Sequence, residues 1–194
     1  MTMSQLQKVL HAIDAINSAD INLTIVDGIS HPKELLYGQY MSACLDNYWP
    51  DASECLQIAV RAQHVKRWHL KRTEFSEGKK GYFTWRKELG IFHAETAKAL
   101  MLDFGYSEDE ASKTAAIIRK ENLKSNTESQ TLEDVACLVF LQYYFDAFAA
   151  KHNDEKIIRI LQLTWGKMST RGQEIALGLT LPSHLAILVG KALA

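Results

Sequence analysis

Proline and glycine are scarce, with three Pro and ten Gly in 194 residues. A chain with so few breakers does not suit a turn-rich all-β sandwich and forms long helices easily. Cysteine is scarce too: Cys44, Cys55 and Cys137 are odd in number and widely spaced. With no CxxC pair, a disulfide scaffold, a zinc knuckle and a thioredoxin-like centre are excluded. Each of the three lies in an apolar helical context and reads as a small core residue, reduced as in the cytoplasm. Charge of one sign is missing as well. The formal net charge is -1, so no global field draws the protein to nucleic acid or to a membrane. No apolar run is long enough to span a bilayer. The most apolar stretch, Ile175 to Leu193, is interrupted by Pro182, His184 and Lys191. The first ten residues have no basic segment followed by an apolar core, so a secretory leader is not expected. These absences predict a cytoplasmic protein without a membrane partner. Hydrophobic residues at 47% and charged residues at 23% are the composition of a soluble globular chain, sized for a single domain.

What is present is helical periodicity almost throughout. Val9, Leu10, Ile13 and Ile16 make the stripe of a first helix, and Pro32 opens a second with Leu35, Leu36, Tyr40 and Leu45. Asp51 and Glu54 signal the start of a third, expected to run to about Trp68. A fourth is predicted from about Thr84 to Asp103, stopping at Gly105. Ser107-Glu108-Asp109-Glu110 caps a fifth that ends near Lys120. A sixth opens at Thr131 and Asp134. It is apolar nearly all round through Val135, Leu138, Val139, Leu141 and Phe145, as a buried central helix would be. A seventh covers Glu155 to Trp165, and short helices follow Ser169 and Pro182. The one plausible strand is Asn22 to Val26. His69 to Phe83 and Asn122 to Gln130 read as irregular. The expected fold is a single globular all-α domain, residues 1–194, of about eight or nine helices.

The near-zero total charge hides a polarised distribution. Between Arg61 and Lys87 nine basic residues face only Glu74 and Glu77. Aromatic residues are interleaved: Trp68, Phe75, Tyr82, Phe83 and Trp85. A basic run of this kind attracts anions, and arginine suits bidentate phosphate or carboxylate binding. At about 100° per residue, Arg61, His64, Arg67 and Trp68 share a face of the third helix, and Arg86 and His93 share one of the fourth. If these helices are antiparallel neighbours, His64 and His93 approach each other in a cleft rimmed by arginines.

His64, His93 and Asp134, each on a different helix, resemble in order the metal-dependent phosphohydrolases of the HD superfamily. That resemblance implies a divalent metal held by His64, His93 and Asp134. Ala94 stands where the His-Asp dipeptide needs its carboxylate, so no metal and no other cofactor is favoured. Lys167-Met168-Ser169-Thr170 is similar to the KMSKS signature of class I aminoacyl-tRNA synthetases. The companion HxGH motif is absent and there is no Rossmann domain, so synthetase activity is not expected.

Larger blocks resemble one family more closely. They are Arg61-Ala-Gln-His64-Val-Lys-Arg67-Trp68, Gly81-Tyr82-Phe-Thr-Trp85-Arg86, Leu132-Glu133-Asp134-Val-Ala-Cys-Leu-Val-Phe-Leu141, Lys156-Ile-Ile-Arg-Ile-Leu and Thr164-Trp165-Gly-Lys167-Met168-Ser169. Over roughly Asp51 to Pro182 they are similar to a family of uncharacterised bacterial and fungal proteins, a domain of unknown function. Some members carry the label glutamyl-tRNA synthetase. The resemblance implies an all-α, HD-like domain and no established reaction.

The function expected from the residues is binding of a phosphorylated or carboxylated, nucleotide-like small molecule. Arg61, Arg67, Arg72 and Arg86 would supply charge, with Trp68, Tyr82 and Trp85 as aromatic surface. His64 and His93 would serve as acid or base, since imidazole titrates near neutrality. The alternatives are a metal-dependent phosphohydrolase of the HD type and a non-catalytic RNA-binding or scaffold module.

Overall fold

The structure, a computed structural model, describes residues 3–123 and 125–193. It divides into two compact units, up to Ser129 and from Gln130 onward. Both are helical, and ten α-helices and one two-stranded hairpin lie among the described residues. The all-α expectation is met. No helix among these residues is long and apolar enough to cross a membrane.

The first unit begins with α1 (Gln5–Asn17), entered through a reciprocal cap in which Ser4 and Gln7 satisfy each other's backbone amides. The predicted strand is real but has a partner. β1 (Leu23–Val26) pairs antiparallel with β2 (Ile29–Pro32), Val26 opposite Ile29. Asp27 and Gly28 turn the chain with φ of 51° and 77°, the Asp-Gly combination that a tight hairpin turn favours. α2 (Lys33–Tyr48), α3 (Glu54–Ala62), α4 (Gly78–Asp103) and α5 (Glu108–Ile118) complete the unit. α3 is the central element. Cys55, Leu56, Ile58, Ala59, Val60 and Ala62 are all buried on it, and it packs against α1, α2, α4 and α5. Its broad apolar face is stable only when covered in this way, while Glu54, Gln57 and Arg61 keep the remaining side polar.

Two boundaries that differ from the expected ones shape the site. α3 stops at Ala62 instead of Trp68. Lys66 takes a left-handed φ of 51°, and its amide donates to the Asn17 side chain of α1 at 2.9 Å. A buried amide from another helix has captured the backbone that periodicity assigned to α3. The chain then makes a short 3-10 turn, Arg67–His69. α4, conversely, starts at Gly78, six residues before Thr84. Gly81 weakens the helical pattern there, yet it is needed. A Cβ at that position would lie 1.7 Å from the Ser76 carbonyl oxygen, which folds over the helix start.

The second unit contains most of α6 (Thr127–Val139), a π-helical turn at Phe140–Tyr144, α7 (Phe145–Ala149), α8 (Asp154–Trp165), α9 (Thr170–Leu177) and α10 (Ser183–Leu193). Leu141, Phe145, Ile157, Leu161, Leu185, Leu188 and Ala192 form its core. α6 is buried nearly all round, as expected. It starts four residues before Thr131, where Asn126 accepts from the amides of Glu128 and Ser129. Asp134 is therefore not a first-turn acid. It accepts from the Ser169 amide at 2.8 Å, from the Ser169 hydroxyl and from Gln130 Nε2 at 3.0 Å, tying down the start of α9. Cys44, Cys55 and Cys137 are buried and unbonded to one another.

Candidate functional site

The early end of α3 creates the site. Gln63 and His64 leave the helix, Val65 turns inward, and Arg67 folds back over His64. α4 supplies Arg86, Lys87, Leu89, Gly90 and His93. The end of α5 at Ile118 and the turn after it, with Arg119, Lys120 and Glu121, close the far side. Gln63, His64, Arg67, Arg86, His93, Arg119 and their neighbours enclose a cavity of about 510 Å³, within the size range of small-molecule sites.

The expected approach of His64 and His93 is present, with ring centroids 6.1 Å apart. Their roles are set by what they touch. His64 Nδ1 lies 3.0 Å from Glu34 Oε2, and its Nε2 lies 3.0 Å from Arg67 Nη1. A guanidinium only donates, so Nε2 accepts and Nδ1–H donates to Glu34. Tyr37 stacks on the ring at 4.0 Å. Burial, then the adjacent Arg67, holds the His64 pKa well below its ordinary value. His93 is 3% exposed, and its Nδ1 lies 2.8 Å from the Val65 carbonyl oxygen. The carbonyl only accepts, so Nδ1 carries the proton and Nε2 is bare. Burial, then His64 and Arg67, pulls its pKa down to about 3. His93 Nε2 and Gln63 Oε1 are buried and have no hydrogen-bond partner. The only buried carboxylate of this cluster, Glu34, is pushed up by desolvation against the opposing pull of Arg67 and Lys33.

The arginines sort into two kinds. Arg61 is a structural pair: its Nε and Nη2 grip Asp14 at 2.7 and 2.6 Å, and Gly38 leaves room for its stem. Arg72 clamps its own loop through the Phe75 and Gly78 carbonyls at 3.0 and 3.4 Å. Arg67 is held between His64, Glu34 and the face of Trp85, 5.0 Å from that ring. Trp85 itself donates to the Leu70 carbonyl at 3.0 Å, and Tyr82 sits against it at 5.9 Å. The predicted aromatic surface thus brackets Arg67 outside the cavity, and Trp68 does not line it either. Arg86 and Lys87 are different. Both are exposed, line the cavity, and pair with no carboxylate among the described residues. Glu121, the one acid in the lining, is held by Arg119 at 2.7 Å.

The divalent metal that the HD resemblance implies does not fit these residues. Both nitrogens of His64 are occupied by Glu34 and Arg67, and Asp134 is committed to Ser169 and Gln130 in the second unit. Among the described residues no group of three or more His, Cys, Asp or Glu is placed to hold a metal ion.

A family model for a domain of unknown function, DUF4202, matches residues 7–189. The chain belongs to the DUF4202 family. No curated protein and no solved structure matches it. For this DUF4202 domain the sequence missed Glu34, Gln63, Arg119 and Lys120. Glu34 reads as a first-turn acid, and Arg119-Lys120 as ordinary helix-end cations. No signal marks Gln63, since only the early end of α3 turns it into the cavity.

Gly90 offers a direct test of the space. It lies in the interior of α4 and lines the cavity, and a Cβ there would meet nothing within 4 Å. Gly90→Ala is expected to raise stability by up to about 1 kcal/mol through helix propensity alone. Gly90→Phe should instead fill the cavity. Urea melts of the two variants check this, and a destabilising Gly90→Ala would show that the space is already occupied by protein.

Proposed function

We propose that this domain binds a phosphorylated, nucleotide-like small molecule in the cavity between the end of α3, α4 and the end of α5. The observation that carries the reading is the pair Arg86 and Lys87 at the cavity, cationic and without a carboxylate partner among the described residues. The cations Arg61, Arg119 and Lys98 each have a carboxylate partner. Two adjacent ones left unpaired beside a concave, partly apolar surface repel each other, and an anion relieves that repulsion. Arg67 adds to the same field from behind, fixed by Trp85 and His64. Membership of the DUF4202 family defines no reaction.

Inorganic phosphate should raise the melting temperature more than chloride at equal ionic strength. At about 100 times its dissociation constant, a ligand stabilises by about 2.7 kcal/mol. The double variant Arg86→Ala/Lys87→Ala should lose this gain, and Lys8→Ala, on α1, should keep it. Equal gains in all three would mean that phosphate acts only by exclusion from the surface, and the reading would fall.

A further inference from the structure

The floor and the mouth of the cavity ask for opposite chemistry. At the floor, the Val65 carbonyl fixes the His93 tautomer with the proton on Nδ1, so the buried Nε2 presents a lone pair. Gln63 Oε1 is a second buried acceptor without a donor, on a residue that lines the same cavity. His64 cannot supply that donor, because its Nδ1–H is directed at Glu34 and its Nε2 accepts a hydrogen bond from Arg67. Buried polar groups are almost always satisfied, and the exceptions mark places where something else completes them. An anionic oxygen cannot do so here, since it would bring its own lone pairs against two acceptors. At the mouth, Arg86 and Lys87 offer only donors and positive charge.

We infer that the ligand is a phosphomonoester whose organic part carries hydroxyl or N–H donors, with the donors on His93 Nε2 and the Gln63 amide and the phosphate at Arg86 and Lys87. This rests on the anion reading above and adds orientation and substrate class to it. Simple oxyanions then bind at the mouth alone. The histidine at the floor is an acceptor that orients the organic group, and it does not neutralise the phosphate. Ribose hydroxyls and nucleobase N–H groups share this donor chemistry.

The test is titration calorimetry on the full chain with inorganic phosphate, methyl phosphate, ribose 5-phosphate and adenosine 5′-monophosphate. Ribose 5-phosphate or the nucleotide should bind at least about tenfold more tightly than methyl phosphate, which has no donor for the floor. Equal affinity of the two donor-bearing probes would put the donors on the sugar, and a further gain for the nucleotide would put them on the base. Gln63→Met removes the amide at nearly constant volume. It should bring the ratio to about one, leave methyl phosphate binding unchanged, and raise the melting temperature of the free protein by removing an unpaired buried group. His93→Asn keeps a donor for Val65 and removes Nε2, with the same loss of ratio; if it does not fold, Gln63→Met decides alone. Methyl phosphate binding as tightly as both larger probes, or a ratio untouched by Gln63→Met, overturns this inference and leaves the anion site standing. Failure of every phosphate to bind overturns both.

Discussion

Acidification from about pH 7.5 to pH 5 is expected to remove about 2 kcal/mol of folding stability through His93, with a further loss through His64. The sign follows from where the protons go. In the folded protein His64 and His93 are held neutral, the first well below its ordinary pKa and the second at about 3, by burial and by Arg67. In the unfolded chain both take up a proton near pH 6.5. The unfolded state therefore binds more protons as pH falls, and stability is complete above about pH 7 and lost progressively below 6.5. For His93 the loss ends only near its folded value of about 3. Glu34 acts in the opposite direction. Its folded pKa is raised, so it returns part of the loss as the pH approaches its own range. Domains are stable by only about 5–15 kcal/mol, so a loss of this size is large. Urea unfolding across that range measures it. His93→Asn should have a clearly smaller slope. A wild-type change below about 1 kcal/mol would mean that the imidazoles charge inside the fold and that the Arg67–His64 contact opens.

Glu34→Ala is expected to cost about 3–5 kcal/mol, the usual penalty for removing one member of a buried ionic pair. Glu34 is buried, accepts from His64 at 3.0 Å, and is the carboxylate nearest the Arg67 guanidinium, at 3.9 Å. Without it the His64 N–H has no acceptor, and Arg67 faces Arg86 with nothing between them to balance the charge. Glu34→Gln keeps an acceptor for His64 and loses only the charge, so it should cost less. The order Ala worse than Gln in chemical denaturation is the readout. Equal and small losses would show that Arg67 is balanced by solvent, and the electrostatic account of the cluster would fail.

Much of this protein is legible in its residues because helical periodicity is a local property. The stripe Val9, Leu10, Ile13 and Ile16, the Ser107–Glu110 cap and the all-round apolarity of α6 each need only a few neighbouring residues to declare themselves. The same is true of the basic run from Arg61 to Lys87, and of His64 and His93 as a pair on successive elements. Even the missed β2 had a local mark in Asp27-Gly28.

The tertiary structure decided which of those charges are spent. Composition cannot show that Arg61 is gripped by Asp14, forty-seven residues away, while Arg86 and Lys87 are left unpaired. Nor can a 3.6-residue period show that Asn17 captures the Lys66 amide and ends α3 six residues early. That one long-range hydrogen bond turns Gln63 into the cavity and folds Arg67 over His64. Helix propensity is worth tenths of a kcal/mol per residue, whereas leaving a buried amide such as Asn17 unpaired costs about 1–3 kcal/mol. Where the two compete, the distant partner wins, and the site lies where local reading of the sequence stops being sufficient.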